Sequence, residues 1–108
     1  MNQVIRTIPY SIKLADSFFT RLKGLMFRKD QLVEEGLWIF PCNSIHMCFM
    51  KFSIDAVFLT KEGRIVKMVE NLQPWRFVKP IKDAYSVIEL PAGTITKLEL
   101  KQGDLISI

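Results

Sequence analysis

Residues 45–59 read IHMCFMKFSIDAVFL and decide the fold of this chain. Ten of these fifteen residues are apolar, without counting the cysteine, and a short apolar run bounded by turn signals is typical of a buried strand or strand pair. His46 and Asp55 lie inside the run, where a buried polar group needs a hydrogen-bond partner. The segment therefore predicts buried strands that carry two polar groups, which are either structural hydrogen-bonding groups or parts of a site.

The chain has the size of one hydrophobic core. Its 108 residues fit a single domain, residues 1–108, and a content of 49% apolar and 24% charged residues indicates a globular protein. Basic residues exceed acidic ones by four, which permits weak association with an anionic surface. This excess is too small to indicate nucleic-acid binding by itself, and a basic face without interleaved aromatic residues argues against sequence-specific nucleic-acid binding. No nucleic-acid partner is therefore expected.

The distribution of apolar residues along the chain predicts the cellular compartment. No run of about 18 apolar residues is present, so no membrane span is predicted. The opening residues MNQVIRTIPY lack the apolar region of a signal peptide. We therefore expect a cytoplasmic location, in which both cysteines would be reduced thiols.

Short strand patterns recur along the chain at intervals of about ten residues. The predicted strands lie at 4–14 (an edge strand or hairpin), 36–40, 45–59, 65–69, 86–90 and 105–108. A hairpin turn is predicted at 61–64 and a surface loop at 71–84. Residues 94–100 are compatible with either a strand or one helical turn. An apolar stripe from Phe18 to Met26 predicts one helix that begins at Asp16 or Ser17. The pattern favours a mainly β fold, a β-sandwich or partly open barrel with one short N-terminal helix across it. Strands that are apolar on both faces, such as 56–59, predict coverage from both sides.

The ordered motifs resemble those of one family. They are TRLKGLMFR at 20–28, GLWIF at 36–40, the central block with His46, Met50 and DAVFL at 55–59, PWR at 74–76, ELPAG at 89–93 and Gly103-Asp104. In this order they are similar to the motifs of the domain of unknown function 192 family. The resemblance implies a small β-rich fold and no agreed activity. Many members carry Trp-Met-Lys-Asn-Thr in the central block, whereas this chain has CFMKF at 48–52, so no role is assigned to that Asn-Thr pair.

Several side chains are candidates for a ligand site. Arg21 and Arg28 flank Gly24-Leu25-Met26, and guanidinium groups hold carboxylates or phosphates bidentately. His46 and Asp55 are nine residues apart and would meet if two strands ran antiparallel, as an acid–base pair or as mutually satisfied buried groups. Alternatively, Asp55 accepts hydrogen bonds from backbone N–H groups. The predicted ligand-binding residues are Arg21, Arg28, His46, Met50, Asp55, Trp75 and Arg76.

Cys42, His46 and Cys48 form a CxxxHxC pattern. It offers three soft donors, but no second CxxC or HxxxH completes a zinc site, and buried free cysteine is commonly a small apolar side chain. A Cys42–Cys48 disulfide is disfavoured in a reducing compartment. We therefore expect no metal and no other cofactor.

Three functions are consistent with these residues. The first is a non-enzymatic binding or accessory module whose site around His46, Asp55 and Arg21 takes a small anionic ligand or a peptide segment. The second is a small enzyme in which His46 and Asp55 are the acid and base and Arg21 holds an anion. The third is a structural interaction protein. No nucleotide-phosphate loop, Rossmann turn or zinc-protease motif is present to favour the enzyme.

Overall fold

The computed structural model describes residues 4–17, 21 and 24–107. Phe18 and Leu22, which carry much of the predicted N-terminal helix, lie outside the described residues. At the one position described between them, the Arg21 N–H donates to the Ser17 carbonyl at 2.9 Å, which is the i to i−4 spacing of an α-helix.

The described residues form nine strands and one short helix. In chain order they are β1 (Ile5–Thr7), β2 (Ser11–Ala15), β3 (Glu35–Ile39), β4 (Ile45–His46), β5 (Ile54–Leu59), β6 (Ile65–Leu72), β7 (Phe77–Val78), β8 (Ser86–Pro91), α1 (Thr94–Lys97) and β9 (Leu105–Ser107). The mainly β prediction is confirmed. Residues 94–100, left open by the sequence, begin with the helical turn α1.

A five-stranded sheet in the order β2-β3-β8-β5-β6 is the centre of the fold. Strand β5 pairs antiparallel with both β6 and β8, so the hairpin predicted across residues 61–64 is present. Strand β2 is an edge strand parallel to β3, whereas β1 pairs with β9 in a separate two-stranded sheet. The segment 4–14 therefore forms no hairpin of its own. The sheets of the described residues do not close into a barrel.

Both faces of the central sheet are covered, as predicted. Side chains alternate between faces along a strand, so successive residues of β5 and β8 enter two different cores. The first core contains Ala56, Phe58 and Val87, and the second contains Val57, Leu59 and Ile88. All six residues of β5 are buried, and each large apolar side chain buried in this way contributes about 1.5–3 kcal/mol.

The central block divides into two strands with different environments. Strand β4 pairs with β7 in a third, two-stranded sheet, where His46 lies opposite Phe77. Residues 47–53 connect β4 to β5. The segment 71–84, predicted as a loop, contains the end of β6 and all of β7.

Across the described ranges, no helix has the length and apolar character needed to cross a bilayer.

Candidate functional site

A cavity of about 120 Å³ opens on the first-core side of the central sheet. The polar or sulfur-bearing residues of its wall are Arg21, Met26, Cys42, Ser44, His46, Met50 and Glu89. The remaining wall is largely apolar and is made by the turn at 24–26 together with β3 and β4. A concave, mostly apolar site with a few convergent polar groups is typical of small-ligand binding.

Glu89 is the most unusual residue of this cavity. It lies on β8, the middle strand of the sheet, and its neighbours Ile88 and Leu90 both enter the second core. Alternation along the strand therefore directs Glu89 to the opposite face, where the cavity lies. The residue is only 4% exposed, and no group of the described residues hydrogen-bonds to its buried Oε1 atom.

An unpartnered buried carboxyl group is costly when it is charged. Burial raises the pKa of the Glu89 carboxyl group from its ordinary value of 4.5 to about 7. Protonated and ionised forms are therefore both populated near neutral pH, which is the condition for proton exchange with a ligand or a substrate.

Gly24 brings the backbone close to this carboxyl group. A Cβ atom on Gly24 would lie 3.6 Å from Oε1 of Glu89 and 3.9 Å from Cδ1 of Ile39. The glycine has φ of +49°, a conformation that L side chains adopt at a cost. The Gly24-Leu25-Met26 motif thus forms a turn at the cavity beside Glu89.

Cys42 is a second titratable group in the wall. Its thiol donates to the Ser44 carbonyl oxygen, with 2.9 Å between Sγ and O. Burial raises the pKa of the Cys42 thiol, and the Glu89 carboxylate adds to that increase, whereas hydrogen bonding of the Ser44 backbone to the thiolate form and the Arg21 guanidinium lower the pKa. A raised pKa keeps Cys42 a neutral thiol rather than a nucleophilic thiolate.

Three of the predicted ligand-binding residues, Arg21, His46 and Met50, do meet at the cavity. His46 is exposed, and its Nδ1 atom accepts a hydrogen bond from the Cys48 N–H at 3.2 Å. Arg21 is half-buried and forms no ion pair within 4.0 Å with a described acid. The cavity therefore holds a guanidinium group that is free to bind an anion.

Asp55 does not lie at this cavity, and the predicted His46–Asp55 pair is wrong. The Asp55 side chain is fully buried and accepts three backbone hydrogen bonds, from Asn71 N–H at 2.9 Å, Gly93 N–H at 3.1 Å and Ile95 N–H at 2.9 Å. Asp55 thereby ties β5 to the end of β6 and to the start of α1. The structural alternative named for this residue, acceptance of backbone N–H groups, is the arrangement observed.

Three more predicted residues lie outside the cavity wall. Arg28 forms an ion pair with Glu35 and donates from Nε to the Asp30 carbonyl at 2.9 Å, so it holds the loop rather than a ligand. Trp75 and Arg76 are both exposed, and Trp75 packs edge-on against Phe49 with 5.1 Å between ring centroids. The turn that carries them is held to the central block, because Trp75 N–H donates to the Met47 carbonyl at 2.8 Å.

The CxxxHxC donors do not converge. Cys42 and His46 line the cavity, whereas Cys48 is not part of its wall. Within the described ranges, no three His, Cys, Asp or Glu residues are placed to hold a metal ion. Both cysteines are free thiols.

Glu89 is the site residue that the sequence reasoning missed. It was noted only as part of the Glu-Leu-Pro-Ala-Gly motif. The available signal was an acidic residue between Ile88 and Leu90 in an otherwise apolar strand, because a charge inside a buried strand requires a partner or a function.

Comparison with known proteins identifies relatives along nearly the whole chain. The model of the DUF192 family, "Uncharacterized ACR", matches residues 2–108. A UPF0127 protein of Thermococcus kodakarensis is 40% identical over 102 residues, which are 89% of this chain and 63% of the relative. A UPF0127 protein of Pyrococcus furiosus is 35% identical over 104 residues, 92% of this chain and 87% of the relative. The chain thus spans less than two thirds of the Thermococcus protein.

Two solved structures share the fold. A protein of unknown function from Novosphingobium aromaticivorans has a TM-score of 0.80 at 24% identity, with 89% of this chain and 73% of that chain covered. A "putative transcription regulator" of Sinorhizobium meliloti has a TM-score of 0.77 at 25% identity, with 87% and 78% covered.

Proposed function

The chain belongs to the DUF192 family of uncharacterised proteins, and we propose that it is a binding module for a small anionic ligand or for a carboxylate group of a peptide segment. The site is the cavity lined by Arg21, His46, Met50 and Glu89. The observation that carries the proposal is the buried Oε1 atom of Glu89, which faces this cavity without a hydrogen-bond partner.

A carboxylate ligand supplies an anion for the Arg21 guanidinium and a hydrogen-bond acceptor for protonated Glu89. The Arg21 guanidinium binds it through charge-assisted hydrogen bonds, and protonated Glu89 donates its O–H to the second ligand oxygen. The cavity of about 120 Å³ has the volume of about four waters at roughly 30 Å³ each. It therefore takes the acid group and one or two carbon atoms, while the rest of the ligand extends past His46 to solvent.

The proton on Glu89 gives this binding a defined pH dependence. An anion is repelled by ionised Glu89 and accepted by the protonated form, so ligand binding raises the pKa of Glu89 above its value of about 7 in the free protein. By linkage, affinity for a carboxylate increases as pH falls from 8 to 6. A cationic ligand would show the opposite trend.

Calorimetric titration with acetate, succinate and a short peptide with a free C-terminus tests the proposal. We expect saturable binding that is stronger at pH 6 than at pH 8. Arg21→Gln should abolish binding, Glu89→Gln should keep binding but remove most of the pH dependence, and the exposed control Glu62→Gln should leave both unchanged. Absence of binding by all three probes, or binding that survives Arg21→Gln, would refute the anion site.

A second candidate function is supported by the same carboxyl group. Because the Glu89 pKa lies at about 7 and the cavity opens to solvent, Glu89 has the properties of a general acid–base group. It would replace the pair expected from His46 and Asp55, with Arg21 holding an anionic substrate. Turnover with a bell-shaped pH profile that is lost in Glu89→Gln supports this function, whereas saturation without turnover supports the binding module.

A further inference from the structure

Three large aromatic side chains form an exposed cluster on the loops next to the cavity. Phe27 stacks on Phe49 with 5.0 Å between ring centroids, and Phe49 meets the edge of Trp75 at 5.1 Å. Their exposed fractions are 57%, 48% and 63%, respectively. Exposed aromatic groups of this size that lie together are typical of an interaction site rather than of an ordinary surface.

The same three residues share an unusual backbone conformation. Phe27, Phe49 and Trp75 have φ values of +66°, +62° and +69°. Bulky residues rarely adopt this left-handed region, because it is sterically strained for a residue with a large side chain. Strained residues of this kind cluster at binding sites, and here all three present their rings to one surface.

Backbone hydrogen bonds hold the three loops together. Phe27 N–H donates to the Phe49 carbonyl at 3.1 Å, and Met47 N–H donates to the Arg76 carbonyl at 2.7 Å. Phe77, which is 66% exposed, lies opposite His46 in the β4–β7 ladder. Residues 27–30, 46–51 and 74–79 are therefore neighbouring segments, and we name their exposed side chains the aromatic–basic surface.

Charge is concentrated on this surface. Its three segments contain five of the fifteen basic residues of the chain and one of the eleven acidic residues, so ten basic and ten acidic residues remain elsewhere. The whole net charge of +4 is thus carried by the aromatic–basic surface. Arg28 is neutralised by Glu35, whereas Lys29, Lys51, Arg76 and Lys79 are exposed and have no ion pair with another described residue.

We propose that the aromatic–basic surface binds single-stranded nucleic acid, with unpaired bases stacked on Trp75 and Phe77 and phosphates held by Arg76, Lys79 and Lys51. Stacking platforms beside a positively charged track are the arrangement by which proteins bind single strands without sequence preference. Because a duplex hides the faces of its bases, exposed rings favour a single strand over a duplex. An acidic peptide would satisfy the charges but offers no flat rings to stack on Trp75.

This proposal replaces an expectation from the sequence. The sequence predicts no nucleic-acid partner, because the excess of basic residues is small and a basic face without interleaved aromatic residues argues against sequence-specific binding. In the fold, Phe27, Phe49, Trp75 and Phe77 come from three segments that backbone hydrogen bonds and the β4–β7 pairing bring together, and the same segments carry exposed basic residues. The proximity of these aromatic and basic residues therefore arises from tertiary structure, and the surface adjoins the ligand cavity at His46.

Fluorescence anisotropy with a labelled single strand of about 12 nucleotides tests the proposal, because such sites span 4–16 nucleotides. Trp75→Ala should weaken binding roughly tenfold, since one stacked base contributes about 1–3 kcal/mol, and Trp75→Phe should retain most of the affinity. Arg76→Glu/Lys79→Glu should weaken binding and reduce the slope of log K against log salt by about 1.4, from about 0.7 for each phosphate contact.

The matched control is Lys67→Glu/Lys101→Glu, which changes the net charge equally at two exposed residues outside the aromatic–basic surface. It should reduce affinity much less. Quenching of Trp75 fluorescence in a Trp38→Phe background should occur with the single strand and not with heparin, which has charge but no bases. The proposal is overturned if the single strand does not bind at about 50 mM salt. It is also overturned if heparin or a polyglutamate peptide binds as tightly while Trp75→Ala, folded by circular dichroism, has no effect.

Discussion

Oε1 of Glu89 lies 3.6 Å from the position that a Cβ atom would take on Gly24. The relationship joins two motifs that are 65 residues apart, the Gly-Leu-Met turn and the Glu-Leu-Pro-Ala-Gly strand end. The turn favours glycine because its φ of +49° strains any L side chain, and a Cβ atom there would also contact the unpartnered carboxyl group. The turn at 24–26 and the strand that carries Glu89 therefore form adjacent parts of the cavity wall.

Replacement of Gly24 by alanine should disturb both partners of this contact. The positive φ should cost about 1–2 kcal/mol in free energy of unfolding, and the added methyl group should remove water from Glu89 and raise its pKa further. Urea denaturation at pH 6 and pH 8 measures both effects. Gly103→Ala is the matched control, since its φ is +96° and no atom lies within 4 Å of its Cβ position. It should lose stability without changing the pH dependence.

Ionisation of Glu89 should make the protein less stable as pH rises. The folded-state pKa of about 7 lies above the ordinary value of 4.5, so the folded state binds more protons than the unfolded state between these values. The contribution is fully present below pH 4.5 and is lost as pH rises through 7, and it amounts to about 3 kcal/mol. The difference in unfolding free energy between the wild type and Glu89→Gln, measured from pH 4.5 to 8, should change by this amount. A constant difference would show that the carboxyl group titrates normally.

Asp55 should prove essential for folding and unnecessary for ligand chemistry. Asp55→Asn weakens three backbone hydrogen bonds, and because bonds to a charged group contribute about 1.5–3 kcal/mol each, the loss should be at least about 2 kcal/mol. Thermal and urea unfolding measure it. His46→Ala, at an exposed position, should change stability by no more than about 0.5 kcal/mol. Equal effects of the two substitutions would contradict the separate roles given to these residues.

Gly36 should tolerate no side chain. A Cβ atom there would lie 2.8 Å from Cδ2 of Leu90, 2.9 Å from the Glu89 carbonyl oxygen and 2.9 Å from Cδ1 of Ile12. Gly36→Ala should therefore destabilise the protein by about 1–3 kcal/mol through overpacking. Gly93→Ala has open space at its Cβ position and tests the opposite case, in which only the positive φ contributes. A neutral Gly36→Ala would show that β3 and β8 can separate at no cost.

The sequence predicted those parts of the fold that depend on local pattern. The hairpin from β5 to β6 followed from an apolar run, a turn at 61–64 and a second apolar run, and the burial of Ala56–Leu59 on both faces followed from their composition. The pairing of β1 with β9 did not follow, because it joins Ile5 to Leu105 and no local pattern records a partner so distant.

The candidate site was predicted only in part, for a related reason. Arg21, His46 and Met50 were found because each stands out from its neighbours in the sequence. Asp55 was paired with His46 because they are close in sequence, whereas its hydrogen-bond donors Gly93 and Ile95 are 38 and 40 residues away. Glu89 was missed because its significance depends on the lack of a hydrogen-bond partner. Only the packing of the turn at 24–26, β3 and β4 around its carboxyl group reveals this lack.

The central claim is that Glu89 is a buried carboxyl group in a ligand cavity, and its side-chain ¹³C resonance tests this most directly. Titration by NMR should give a pKa of about 7 in the free protein. The resonance should shift on addition of acetate or succinate, and the pKa should then be higher than in the free protein. A pKa near 4.5 that is unchanged by either carboxylate would contradict both the burial of this group and its role in the site.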